Sequence, residues 1–186
     1  MEKTLGQSSS RCIKVVLFGP ESTGKTTLAR ELAARYNTHW VPEYLRTFAQ
    51  QKLDAGAGTI AREDLLLIAR GQMDLENEQA ALADDYLFCD TNLLELKVYA
   101  EYYFEGYCPP LLKQASLENS YDHYFLTQID VPWEEDELRD RPYDREKLFR
   151  IFECELQDHQ LSYTLLEGSL TERLHKAAQV LETLKL

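Results

Sequence analysis

One stretch near the N-terminus, Gly19-Pro20-Glu21-Ser22-Thr23-Gly24-Lys25-Thr26, constrains this chain more than any other feature. It fits G-x-x-x-x-G-K-[ST] at every fixed position, a match that chance would supply roughly once in 200 chains of this length. It follows the β-branched, apolar run Cys12–Phe18, which reads as a strand. It opens Lys25–Tyr36, where Leu28, Leu32 and Tyr36 recur at helical spacing. A strand that turns through glycines into a helix is the setting in which this motif has a mechanism. The glycines let the backbone wrap an anion with its N–H groups inward, and the helix N-terminus adds partial positive charge. Lys25 is placed to reach the β- and γ-phosphates of a nucleotide, and Thr26 to give an oxygen to Mg²⁺. Glu21 is an odd residue in a loop built for anions. Its position is variable in the motif, and its side chain is expected to point away from the phosphates.

The rest of the composition narrows the class. Of 186 residues, 44% are hydrophobic, enough for one ordinary globular domain with a sizeable core. Lys and Arg number 20 against 32 Asp and Glu, a net charge of −12. That balance excludes a general nucleic-acid or anionic-membrane binder, which needs a basic surface. No apolar run approaches the roughly 20 residues that span a bilayer. Cys12, Cys89, Cys108 and Cys154 are widely spaced and form no CxxC pair. They argue against a zinc site or a disulfide framework and for a reduced, cytoplasmic protein. Residues 1–11 are polar and Ser-rich and read as a flexible tail; 12–186 read as a single domain.

Along that domain, short apolar runs alternate with amphipathic stretches. Strands are expected at Cys12–Phe18, His39–Val41, Tyr86–Cys89, Tyr124–Ile129 and Ser162–Leu166. Helices are expected at Lys25–Tyr36, Tyr44–Leu53, Thr59 to Ala83 with Thr59 as cap, Leu93–Phe104, Arg145–His159 and Thr171–Leu184. Gly106–Pro110 reads as a break. The alternation predicts an α/β fold, a five-stranded parallel sheet with helices on both faces. Such sheets bind ligands beyond the carboxyl ends of their strands. The five strand ends lead to Gly19, Glu43, Asp90, Asp130 and Glu167, so four of the five are carboxylates.

Glu43 lies at the end of the second strand, where a carboxylate can accept a proton from an attacking hydroxyl or hold it in line; the plainer reading is a helix-start acid. Arg46, one turn further, is placed to face the same cleft. Asp90 ends an apolar strand in the manner of a Walker-B aspartate directed at Mg²⁺, with an N-cap of the next helix as its plainer role. Thr91 and Asn92 offer further polar contacts. Arg139 and Arg141, in the charged, Pro-bounded connection Asp130–Asp144, and Arg145 just after it are placed to clamp a transferring phosphoryl group as a lid. Tyr99, Tyr102, Tyr103, Phe104 and Tyr107 suit a core-facing helix end, or, with Trp133, a pocket for a planar heterocycle.

Taken in order, GPESTGKTTLARELA, VPEYLRTF, FCDTNLLELKVYAEYYF and YDHYFLTQIDVPWEEDELRDRP resemble the ribosylnicotinamide kinase domain of the NadR family. The resemblance runs from Cys12 to the C-terminal helix. It implies transfer of a phosphoryl group from ATP to the 5′-hydroxyl of nicotinamide riboside. It further implies that Gly19 to Thr27, including Thr27 itself, hold the phosphates while Thr26 and Asp90 organise Mg²⁺. Glu43 would position or deprotonate the hydroxyl, with Arg139 and Arg141 or Arg145 closing from the lid. The Glu167-Gly168 turn would lie by the adenine. Larger members of that family carry an adenylyltransferase domain and a DNA-binding segment, for which 186 residues leave no room. A kinase for another nucleoside or small alcohol, and a regulatory ATPase acting through a protein partner, are the competing readings.

Overall fold

The structure, a computed structural model, describes residues 5–133 and 143–185. Five strands form one parallel sheet: β1 (Ile13–Phe18), β2 (His39–Val41), β3 (Tyr86–Asp90), β4 (His123–Thr127) and β5 (Tyr163–Leu166). Their spatial order is β2-β3-β1-β4-β5. In register, Val15 of β1 lies beside Phe88 of β3 and His123 of β4. Chain order reverses about β1, so the crevice at its carboxyl end is the topological switch point where ligands bind in open α/β sheets.

β1 shows why the sheet is covered on both faces. Side chains alternate along a strand. Val15 and Leu17 pack with Leu28 and Leu32 of α1 (Lys25–Arg35) and with Ala177 and Leu181 of α7 (Leu170–Leu184). Val16 and Phe18 face the opposite layer. There they meet Val98 of α4 (Leu93–Tyr103) and Phe152 and Leu156 of α6 (Arg145–Asp158). A third apolar cluster joins α3 (Leu65–Leu82), α4 and α5 (Pro110–Glu118) beside α2 (Tyr44–Asp54).

Three expectations are corrected. The helix expected from Thr59 begins later. Gly56 and Gly58 adopt positive φ, a short 3-10 turn spans Arg62–Asp64, and α3 starts at Leu65. Asp64 fixes that entry by accepting from the Ala61 N–H at 2.7 Å and from Lys52. Second, the Gly106–Pro110 break is followed by α5, a helix the periodicity did not show. Pro110 occupies its first turn, where a missing N–H costs nothing.

Third, the described part of the N-terminal segment is docked rather than loose. Leu5 is 2% exposed, within the cluster of Leu65, Ile68, Met73 and Leu112. Gln7 donates to Glu76 at 2.8 Å and to the Ser120 carbonyl at 3.0 Å. Glu76 also accepts from Lys14 at 3.0 Å and from the Tyr121 hydroxyl at 2.7 Å, so its buried charge is fully partnered. Leu5→Ala is expected to cost about 2–4 kcal/mol in urea unfolding. A loss below about 0.5 kcal/mol, the size of an ordinary surface change, would mean the segment is not packed in solution.

Candidate functional site

The phosphate loop is braced from four directions. Gly19 has φ 137°, and a Cβ there would stand 2.8 Å from Thr127 Oγ1, so only glycine fits. Thr23 Oγ1 donates to the Pro20 carbonyl at 2.8 Å and lies 2.6 Å from Thr127 Oγ1. Arg145 donates to the Ser22 carbonyl at 3.1 Å, and Arg173 to the Thr23 carbonyl at 2.7 Å. Gly24, at φ 84°, turns the chain into α1, and its side-chain-free cap leaves the first N–H groups of that helix facing the loop.

Lys25 is held beneath this loop. Its Nζ donates to the Gly19 carbonyl at 2.7 Å and the Pro20 carbonyl at 2.8 Å. It also forms an ion pair with Glu95 at 3.2 Å. Glu95 Oε2 in turn accepts from the Gly19 N–H at 3.3 Å. Burial works to lower the Lys25 pKa, but the carboxylates of Glu95, Glu43 and Asp90 outweigh it and leave the amine above its ordinary value. Glu95 is 1% exposed; burial pushes its carboxyl up to about 8 against the pull of Lys25.

Asp90 and Glu43 meet in front of the loop. Thr26 Oγ1 donates to Asp90 Oδ2 at 2.5 Å. Asp90 is 1% exposed, and its Oδ1 is buried with no hydrogen-bond partner among the described residues. An orphaned carboxylate oxygen beside a hydroxyl fits a divalent cation. No cluster of three or more His, Cys, Asp or Glu suited to a metal occurs among the described residues. Such a sparse donor set suits Mg²⁺, which is usually held by one or two protein oxygens together with phosphates and water. The helix-cap role proves to belong elsewhere: Asn92 caps α4, accepting from the Glu95 N–H at 3.2 Å. Glu43 precedes α2, yet its side chain makes no capping bond. Desolvation raises its carboxyl to about 7, with the Asp90 charge adding to the rise and Lys25 and Arg46 opposing it.

These groups open onto one cleft of about 830 Å³. One end is the phosphate loop, where Glu21, Ser22, Thr23, Gly24, Lys25, Thr26 and Thr27 all line it. Glu43, Arg46 and Asp90 lie on its wall, and Tyr99, Tyr103 and Phe104 give it an aromatic side. The aromatic run therefore divides: Tyr99 also packs edge-on against core Phe152, while Tyr103 faces the cleft.

Some expected residues lie elsewhere. Asn92 is committed twice over, as the α4 cap and as donor to the Tyr124 hydroxyl at 3.1 Å, so it is withdrawn from the acceptor contacts. Trp133 does not line the cleft; the Arg145 guanidinium lies 5.7 Å from its ring. Glu167 and Gly168 are exposed beyond β5 and also outside the lining. Gly168 is tied down by its N–H to Asp130 at 2.6 Å and its carbonyl from Arg173 at 3.0 Å. Arg139 and Arg141 lie outside the described residues. Two residues went unnoticed in the sequence, Glu95 and Arg173. Arg173 is 2% exposed, lines the cleft, and joins the phosphate loop to Gln128, Asp130 and Gly168.

A parallel 2-3-1-4-5 sheet, a phosphate loop after β1 and a carboxylate at the end of β3 define a P-loop NTPase fold. Residues 14–173 match the AAA domain family AAA_28, and the chain belongs to that family. It is 26% identical over 155 residues to the trifunctional NAD biosynthesis/regulator protein NadR of Escherichia coli K12. The Salmonella typhimurium protein of the same name is 29% identical over 125 residues. Those alignments cover 82% and 67% of this chain but only 38% and 30% of the relatives. Among solved structures, NadR in complex with NR superposes with a TM-score of 0.75 at 22% identity, over 94% of this chain and 50% of that one. A deoxyadenosine kinase from M. mycoides reaches 0.65 at 13% identity, over 92% and 100%. At these identities the structural likenesses speak for the fold.

Proposed function

We propose that this chain is an ATP-dependent kinase that phosphorylates the 5′-hydroxyl of nicotinamide riboside, giving nicotinamide mononucleotide and ADP. The observation that carries the reading is one cleft with Lys25 and the phosphate loop at one end, Glu43 and Asp90 on its wall and an aromatic side beyond them. Phosphoryl transfer asks the protein mainly for positioning and charge stabilisation, and each part has a holder here. The loop N–H groups and Lys25 bind the phosphates. Thr26 and Asp90 would hold Mg²⁺, which when bound neutralises phosphate charge. Glu43, with its carboxyl near neutrality, takes the proton as the acceptor oxygen bonds to the γ-phosphorus and the bond to the β-phosphate oxygen breaks. Arg139 and Arg141 extend this as lid residues, and Arg145 supports the loop through Ser22. The substrate is a small molecule, and the setting is the cytoplasm, where ATP is made available and the four free cysteines stay reduced.

The test is direct. Purified protein with Mg·ATP and nicotinamide riboside is expected to release ADP and nicotinamide mononucleotide in equal amounts, followed by chromatography. Adenosine, deoxyadenosine and thymidine serve as competing acceptors. ADP release only with one of these would keep the kinase and replace the acceptor. Nucleotide binding with no turnover of any acceptor would remove the kinase reading.

A further inference from the structure

We propose that Glu95 is a positioning residue that acts through Lys25: without nucleotide it holds the ammonium back beneath the phosphate loop, and phosphates bind by drawing the ammonium away from it. The inference rests on the nucleotide-binding part of the kinase reading and deepens it. Glu95 stands in the first turn of α4 and is 1% exposed. Leu96, Tyr99 and Ala100 of the same helix line the cleft, as does Lys25, but Glu95 does not. It sits behind the lysine. Its Oε2 accepts from the Gly19 N–H at 3.3 Å, and its Oε1 lies 3.2 Å from Lys25 Nζ. One carboxylate therefore grips the first residue of the loop and the lysine that follows its last glycine.

The contacts of Lys25 show what a phosphate must displace. An ammonium has three N–H groups. Two go to the Gly19 and Pro20 carbonyls at 2.7 and 2.8 Å, which leaves the third for Glu95. The carbonyls belong to a loop that Arg145, Arg173 and Thr127 brace, so they move only with it. The Glu95 contact is the longest of the three, and rotation of the lysine stem is enough to exchange it for a phosphate oxygen. A buried ion pair is a poor source of stability, because desolvating both ions offsets their attraction. Nor does the lysine need Glu95 for its charge: burial opposes that charge, but Glu43 and Asp90 sustain it together with Glu95. What Glu95 adds is place. It also sets a buried negative charge behind the very cation that phosphates seek, and both effects weaken nucleotide binding.

The experiment measures binding of ADP and of a non-hydrolysable ATP analogue by calorimetry. It is run at pH 9, above the value of about 8 to which burial pushes the Glu95 carboxyl, so that the wild type carries the charge under test. Glu95→Gln keeps an acceptor for the Gly19 N–H; Glu95→Met removes the polar group altogether. Both are expected to bind either nucleotide about tenfold more tightly than wild type. Simple damage to the loop would weaken binding instead, and thermal unfolding reports whether each variant folds. In a Lys25→Met background the same substitutions are expected to change affinity by less than about threefold, because the carboxylate then has no ammonium to hold. Unchanged or weaker binding in the folded variants would overturn the inference, and so would equal tightening in the Lys25→Met background. The measurement needs no acceptor. Tightening in a chain that phosphorylates no nucleoside would keep this inference and remove the kinase reading, whereas a wild type that binds no nucleotide overturns both.

Discussion

Lys25→Met is expected to reduce turnover by at least about 10³-fold, a loss of about 4 kcal/mol of transition-state stabilisation. The lysine is seated directly beneath the phosphate loop, among three carboxylates that hold it charged. Removing it leaves Glu43 and Asp90 near incoming phosphates without the charge of Lys25, with Arg46 left to oppose them among the described residues. The fold is expected to survive at neutral pH, because Glu95 has an alternative to ionisation. Its carboxyl already stands near 8 with Lys25 present, and loss of the lysine moves it higher, so the variant carries Glu95 as the neutral acid. The sign follows from linkage. A carboxyl whose folded value exceeds its ordinary 4.5 gives stability that is complete at low pH and declines as pH rises toward the folded value. Lys25→Met is therefore expected to unfold at a progressively lower temperature, relative to wild type, as pH rises through about 8 and above. Adding Glu95→Gln should remove that pH dependence without restoring turnover. A Lys25→Met enzyme within tenfold of wild type would mean that phosphate charge is neutralised from elsewhere.

The same residues show what a sequence discloses and what it does not. The strand ends were legible because a parallel, doubly covered sheet needs short apolar runs, and each run here ends abruptly at a glycine or an acid. Glu43 and Asp90 stood out for that reason: each follows buried β-branched or aromatic residues with no helix-face pattern to explain it. Glu95 did not stand out. It is a lone acid inside LLELK, one turn into a helix, and such acids are ordinarily solvated. Only the approach of α4 to the loop reveals that it pairs with Lys25. Arg173 was hidden in the same way, since TERLHK on an amphipathic helix reads as a polar face. Its burial depends on β4 and β5 ending at one level beside the loop. Asn92 misled in the opposite direction. Adjacent polar residues after β3 compete for one cap, and local pattern does not say which wins; Thr91, at φ 72°, is the turn that hands the cap to Asn92 and leaves Asp90 to the cleft. The docking of Leu5 escaped because one apolar residue in a polar segment carries no periodicity at all.

Glu43→Gln carries the second large expectation, a fall in kcat of about 10²–10⁴-fold, the span a general base contributes. Two roles are separable here. A residue that only holds the acceptor hydroxyl in line can do so as an amide, and Gln would cost less than tenfold. A residue that takes the proton cannot. The pH profile adds a second, independent readout. Desolvation and the Asp90 charge put the Glu43 carboxyl at about 7. A base must be ionised to work, so wild-type kcat/KM should rise with pH through an acidic limb and level off above it. A cation bound at Asp90 would cancel that carboxylate's influence and move the limb below 7, so the limb should shift with Mg²⁺ concentration in that direction. Glu43→Gln should lose the limb together with the rate. Loss of rate with the limb intact would assign the limb to another group and leave Glu43 the task of orientation. Loss of neither would place proton transfer after the rate-limiting step, as the loose transition state of phosphoryl transfer permits. The carboxylate at the end of β2 would then serve the acceptor's binding, and its removal should appear in KM instead.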